Sequence, residues 1–290
     1  MPQRPSVPGM HPPMPRRVPG VSRIVAVASG KGGVGKSTVA VNLALALHAR
    51  GLSIGLLDAD IYGPSIPIML GLRDERPQVR DERTIVPVQR FGLDTISMGM
   101  LLRADDAVVW RGPMLGKALQ QFLEDVDWGD KDYLIVDLPP GTGDVQLSLA
   151  QLVPVTAAVV VTTPQDVAMA DVRRAIRMFE LTRTPVAGVV ENMAFFTCPD
   201  CGKDYAIFGQ GRTQEACDEL GLPLLGRFPL DMTVGPAADR GEPIFLADPE
   251  GGQARRYREL ADTLVQRVDA LVAERPDQRF QDFFGKGPTG

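Results

Sequence analysis

The chain of 290 residues is 44% hydrophobic and 23% charged, enough apolar content for one large α/β domain with a buried core. A formal net charge of −5, with no run of five basic residues, argues against a dedicated nucleic-acid binder. No apolar stretch approaches the ~18 residues of a membrane span, the first twenty residues lack the apolar region of a secretory signal, and three cysteines suit a reducing compartment, so a cytoplasmic protein without nucleic-acid or membrane partners is expected.

In chain order, residues 1–20 carry seven prolines together with Arg4, Arg16 and Arg17, a composition that cannot bury a core and predicts a disordered arm. From Val21 the pattern alternates. Strands are predicted at 24–28, 54–58, 94–98, 133–137, 156–162, 186–191 and 224–228, several as continuous apolar runs of the kind buried on both faces. Helices are predicted at 37–50, 113–124, 144–152, 166–181, 211–220 and 253–273, and residues 82–90 read as a small hairpin excursion. The result is an α/β fold: a doubly wound, mostly parallel sheet flanked by helices, a single domain over 21–275. Residues 276–290 form a weakly ordered tail.

Between the first strand and the first helix lies Gly30-Lys31-Gly32-Gly33-Val34-Gly35-Lys36-Ser37, followed by Thr38. Strand, Gly-rich turn and helix in this order are the context in which G-x-x-x-x-G-K-[ST] marks a phosphate-binding loop. Its backbone N–H groups turn toward a polyphosphate, Lys36 reaches the β/γ oxygens, and Ser37 offers a hydroxyl to Mg²⁺. A mononucleotide loop needs only Lys36. Lys31 is therefore either a solvated loop lysine or a second functional cation.

Asp58 and Asp60 close the second strand, at the carboxyl edge where ligands of such sheets bind. Asp60 is the candidate for orienting the attacking water and facing Mg²⁺, and Asp58 for holding a metal-bound water or fixing the loop; solvated turn residues are the alternative. The following segment, Ile61 to Pro67, has the Gly/Pro content of a mobile switch. Asp137 ends another apolar strand in the Walker B position, which binds Mg²⁺ through water. It leads into Leu138-Pro139-Pro140-Gly141-Thr142-Gly143-Asp144, a stiffened turn able to report di- against triphosphate. Asp144 reads equally as a cap for the next helix. No guanine-specific Asn/Thr-Lys-x-Asp element is present, which favours ATP.

Cys198-Pro199-Asp200-Cys201 makes a metal knuckle with two thiolates, whereas zinc or a [4Fe–4S] cluster takes four ligands. Cys217 lies within an amphipathic helix and reads as a core or surface thiol, and the only histidines are His11 and His48. The economical solution is a symmetric dimer in which each chain contributes Cys198 and Cys201 to one shared cluster. A zinc site and a redox pair are the alternatives.

The early lysine resembles that of the deviant Walker A ATPases, the group of MinD, ParA, the arsenical-pump ATPase and the nitrogenase iron protein. This resemblance implies that Lys31 crosses a dimer interface to the partner's nucleotide phosphates. It also implies that Asn192, at the end of the 186–191 strand, hydrogen-bonds the adenine edge, with Pro229 and its neighbours flanking the base. With Asp58-Ala59-Asp60-Ile61-Tyr62-Gly63-Pro64-Ser65, Trp110-Arg111-Gly112-Pro113-Met114 and the Cys-Pro-x-Cys, the sequence from about Val21 to about Val272 is similar to the Mrp/ApbC family of iron–sulfur cluster carrier ATPases. Membership implies slow ATP hydrolysis and a homodimer bridged by a [4Fe–4S] cluster. Its implied partners are apo iron–sulfur proteins and a cluster-assembly scaffold. A MinD/ParA-like spatial regulator and a zinc-stabilised assembly partner are the alternative functions. The short tail at Arg279–Lys286 offers little of the basic amphipathic helix that the former requires.

Overall fold

The computed structural model describes residues 17–60, 63–81, 83–100, 112–143, 146 and 155–274. Eight strands form one sheet in the order β12-β9-β8-β1-β7-β2-β6-β5. They are β1 (Val21–Ala28), β2 (Ile54–Asp58), β5 (Val88–Arg90), β6 (Leu93–Ser97), β7 (Lys131–Asp137), β8 (Ala157–Thr162), β9 (Val186–Glu191) and β12 (Leu224–Arg227). Every pairing is parallel except β5 against the edge of β6. The main helices are α1 (Lys36–Ala49), α3 (Gly112–Glu124), α4 (Asp166–Leu181), α5 (Arg212–Leu220) and α8 (Gly252–Ala273); α2 (Ile66–Met69), α6 (Val234–Asp239) and α7 (Ile244–Ala247) are single turns.

Successive side chains of a strand face opposite ways, and the core divides accordingly. Val25, Val27, Ile54, Leu56, Tyr133 and Ile135 pack on the face covered by α1 and α8. Ala26, Leu57, Leu134 and Val136 pack on the other, with residues of α3 and α4. α1 is buried from Val39 to Leu47 without a polar stripe, because it lies between the sheet and α8. The same alternation decides the site. Asp58 and Asp137 continue the Ile54–Leu56 and Tyr133–Ile135 series, so both carboxyls fall on the α1 side at the sheet's carboxyl edge, in direct register.

The predicted elements match these within three residues at each end, with one correction. Within the predicted 82–90 excursion, the described residues 83–90 do not pair with one another. Thr84–Val86 (β4) pairs antiparallel with Gln78–Arg80 (β3), whereas Val88–Arg90 joins the main sheet. Pro87, which lacks an N–H, separates the two pairings. Residues 1–16 of the predicted 1–20 arm, residue 275, the predicted tail at 276–290, Ile61, Tyr62, Trp110, Arg111, Asp144 and most of the predicted 144–152 helix lie outside the described residues.

Candidate functional site

The phosphate loop runs from the end of β1 into α1. Gly33 and Gly35 have φ near +77° and +80°, a region open to glycine at little steric penalty. Two neighbours hold the loop tightly. A Cβ on Gly30 would lie 2.3 Å from the Asp171 Cβ of α4, and one on Gly35 would lie 2.2 Å from the Asn192 amide nitrogen. Asn192 also donates from Nδ2 to the Val34 carbonyl at 2.9 Å.

Lys36 opens α1 and is 6% exposed; its Nζ donates to Asp137 Oδ1 at 2.6 Å. Ser37 Oγ donates to Asp137 Oδ2 at 2.5 Å. Asp137 is fully buried, and that burial pushes its carboxyl up from the usual range, opposed by the Lys36 ammonium and the Ser37 hydroxyl. Asp58, equally buried, accepts from Ser97 Oγ at 2.8 Å and from the Asp60 amide at 3.0 Å. Burial first, and then the Asp137 charge beside it, push Asp58 up to about 7. Asp60 is buried and accepts from the Gly63 amide at 3.3 Å, shaping the turn that follows β2.

The segment after β7 is laced to the phosphate loop. The Leu138 amide donates to Val27 O at 3.0 Å and the Gly141 amide to Ser29 O at 2.9 Å. Gln146 Nε2 spans the turn from below, donating to the Pro139 carbonyl at 2.7 Å and the Gly141 carbonyl at 2.9 Å. Lys31 points elsewhere. Its Nζ donates to Gln165 Oε1 at 3.0 Å, just before α4.

Beyond β9 the chain turns through Asn192 and Met193, the latter at φ 55°, and forms the small hairpin β10 (Phe196–Thr197) and β11 (Asp204–Tyr205). Cys198 and Cys201 sit at its tip, half-buried and exposed respectively. The Cys198 amide donates to Lys203 O at 2.9 Å, and the Gly202 amide to Cys198 O at 2.8 Å, closing the knuckle. The Cys201 and Asp200 amides directed at the Cys198 sulfur hold its thiol below the usual range. Cys217 is a buried thiol of α5, pushed up to about 11 by burial. Among the described residues no group of three or more His, Cys, Asp and Glu side chains is placed to hold a metal ion. A cavity of about 380 Å³ opens beside the knuckle, lined by Phe195, Phe196, Thr197, Pro199, Pro229 and Met232 among others. Pro229 sits in this wall, its carbonyl accepting from Gln253 Nε2 at 3.2 Å.

The structure thus brings Gly30 to Thr38, Asp58, Asp60 and Asp137 together at one edge and places Asn192 against the loop. The thiols Cys198 and Cys201 lie on a separate hairpin six residues from Asn192. Four partners escaped the sequence reading: Ser97 on Asp58, Gln146 under the 139–141 turn, Gln165 on Lys31 and Asp171 against Gly30. Only Ser97 carried a legible signal, as a polar residue ending an apolar strand beside the one that ends in Asp58.

Against known proteins, the ParA family model described as NUBPL iron-transfer P-loop NTPase matches residues 20–265. The chain belongs to this family. The iron-sulfur cluster carrier protein of Aquifex aeolicus is 52% identical over 258 residues, which is 89% of this chain and 71% of that protein. The iron-sulfur cluster transfer protein NUBPL of Dictyostelium discoideum is 44% identical over 255 residues, 88% of this chain and 79% of that one. Among solved structures, a nucleotide-binding protein in complex with ADP from Archaeoglobus fulgidus superposes with a TM-score of 0.72 at 38% identity, covering 83% of this chain and 94% of that one. The cell-division ATPase MinD of Pyrococcus furiosus gives 0.62 at 22% identity, over 84% of this chain and 98% of that one, a likeness of fold alone. The resemblance read from the motifs is borne out, as is the parallel P-loop NTPase architecture. No helix among the described residues is long and apolar enough to cross a membrane.

Proposed function

We propose that this protein is an ATP-dependent carrier of an iron–sulfur cluster, holding a [4Fe–4S] cluster between two copies and passing it to apo-proteins. The observation that carries the reading is the incomplete donor set. Cys198 and Cys201 are exposed enough to be shared, Cys217 is sealed in the core, and no third ligand stands near among the described residues. Four thiolates then require two chains. The names of the relatives support the cargo. The lowered thiol of Cys198 favours the thiolate that ligation needs.

The nucleotide part of the proposal assigns ATP to the loop Gly30–Thr38. Lys36 leaves Asp137 for the β/γ oxygens when the triphosphate enters. The donors that remain, the Ser37 hydroxyl and the Asp137 and Asp60 carboxylates, are hard oxygens that suit Mg²⁺, which when bound would neutralise phosphate charge. Asp60 orients the attacking water and Asp58 holds the Asp60 turn. Lys31 supplies charge to the nucleotide of the partner copy, an arginine-finger role. With its Nδ2 donating to Val34, Asn192 presents Oδ1 as the acceptor for the adenine amine, and Pro229 borders the base. Hydrolysis by this arrangement is slow, and a cytoplasmic setting suits the unpaired thiols. Recipients are apo iron–sulfur proteins, loaded after receipt from an assembly scaffold.

The test is anaerobic reconstitution with iron and sulfide, followed by metal and sulfide counts. About four irons per dimer, and a brown chromophore absent from Cys198→Ser/Cys201→Ser, are expected. Colourless protein with tightly held zinc, or full iron in a strict monomer, would overturn it.

A further inference from the structure

The resemblance to the deviant Walker A ATPases implies a contact of Lys31 across the dimer, yet its ammonium is already engaged within its own chain. Nζ donates to Gln165 Oε1 at 3.0 Å, and the same oxygen accepts from Thr163 Oγ1 at 3.1 Å. An amide oxygen has two acceptor positions, so these donors fill it. Thr163 is buried at 3% exposure, and Gln165 is the extended residue preceding α4, so this acceptor stands on rigid structure. The loop beside Lys31 is held on the same helix, for Gly30 lies against the Asp171 backbone and Cβ with no room for a methyl group. The Lys31 carbonyl in turn accepts from Ser29 Oγ at 2.9 Å.

We propose that Gln165 is a latch: a positioning residue that holds Lys31 in its own protomer and must release it before Lys31 can reach the partner's nucleotide. The inference rests on the trans role of Lys31 proposed above. A contact made in the separate chain and lost in the dimer opposes association, because only the unlatched fraction is competent to bind. Each protomer gives up one latch, so the effect enters the dimer constant squared. One such hydrogen bond shifts the local equilibrium about fivefold, and two shift association about 25-fold. The latch thereby keeps the dimer conditional on bound triphosphate, whose charge offers the ammonium a stronger partner than an amide.

The experiment measures dimerisation of the full chain by sedimentation, with Mg²⁺ and a non-hydrolysable ATP analogue, and ATP turnover alongside. Gln165→Ala is expected to tighten the dimer by about 25-fold and raise turnover at low protein concentration. Gln165→Glu sets a carboxylate against the ammonium and is expected to weaken the dimer, a loss relieved by high salt because the pair is partly exposed. Both effects are expected to vanish in a Lys31→Ala background. A residue that merely supports the fold would shift both variants the same way. That outcome, or persistence of the Gln165→Ala effect without Lys31, overturns the latch. If Lys31→Ala alone changes neither dimerisation nor turnover, the trans contact itself falls; if it weakens both while the Gln165 variants are silent, only the latch falls.

Discussion

Asp58→Asn isolates the electrostatics of the carboxylate pair. Asp58 is fully buried and is pushed up to about 7, chiefly by burial and then by Asp137. In the unfolded chain it titrates near the ordinary aspartate value of about 3.9. The folded state therefore holds a proton that the unfolded state has released, and stability falls as pH rises between the two values. Integrated from pH 5 to pH 8, this site alone removes about 2–3 kcal/mol. For a domain of this size that is about 5–10 °C in Tm. The asparagine fits the same space and keeps both hydrogen bonds: Oδ1 accepts from the Asp60 amide, and Nδ2 donates to Ser97 Oγ, which reverses its role. The variant is thus expected to match the parent only below about pH 4, to exceed it already at about pH 5, and to widen that margin toward about pH 8. The assay is thermal and urea unfolding of both proteins across that range, without nucleotide or divalent cation. Parallel curves, with a constant difference in Tm, would refute the argument that burial has shifted Asp58.

Removing Lys36 as Lys36→Ala leaves Asp137 buried without its partner, which is expected to lower stability by about 3–5 kcal/mol and to abolish ATP binding in calorimetry, while cluster loading at the knuckle survives. Gly35→Ala places a methyl group 2.2 Å from the Asn192 nitrogen at φ +80°, so nucleotide affinity is expected to fall together with Tm. Iodoacetamide at pH 7.5 is expected to modify Cys198 well before Cys217, whose thiol is buried and pushed up to about 11, with the sites identified by peptide mass analysis. Cys198→Ser/Cys201→Ser is expected to leave Tm nearly unchanged, since the hairpin tip contributes nothing to either core cluster.

The fold was legible because its signals are local. Continuous apolar runs ending in Asp58 and Asp137, and a Gly-rich turn between strand and helix, depend on residues a few positions apart. The excursion at 82–90 misled for the opposite reason: both of its halves are short and β-forming, and only the presence of Gln78–Arg80 and Leu93–Ser97 on different sides divides them between two sheets. Lys31 shows the same limit within the site. Its position in the loop marks it as unusual, but the acceptor that holds it lies 134 residues away.

From the residue order alone came the identities of the phosphate loop, the strand-end carboxylates and the two-thiol knuckle, because each is encoded by spacing along one turn or one strand. Tertiary structure decided which groups meet. It set Asp58 beside Asp137 in register, closed Lys36 and Ser37 onto Asp137, buried Cys217 and folded Lys31 back onto Gln165. Those contacts, and the desolvation that moves the carboxyls, arise only when distant strands are packed and water is excluded.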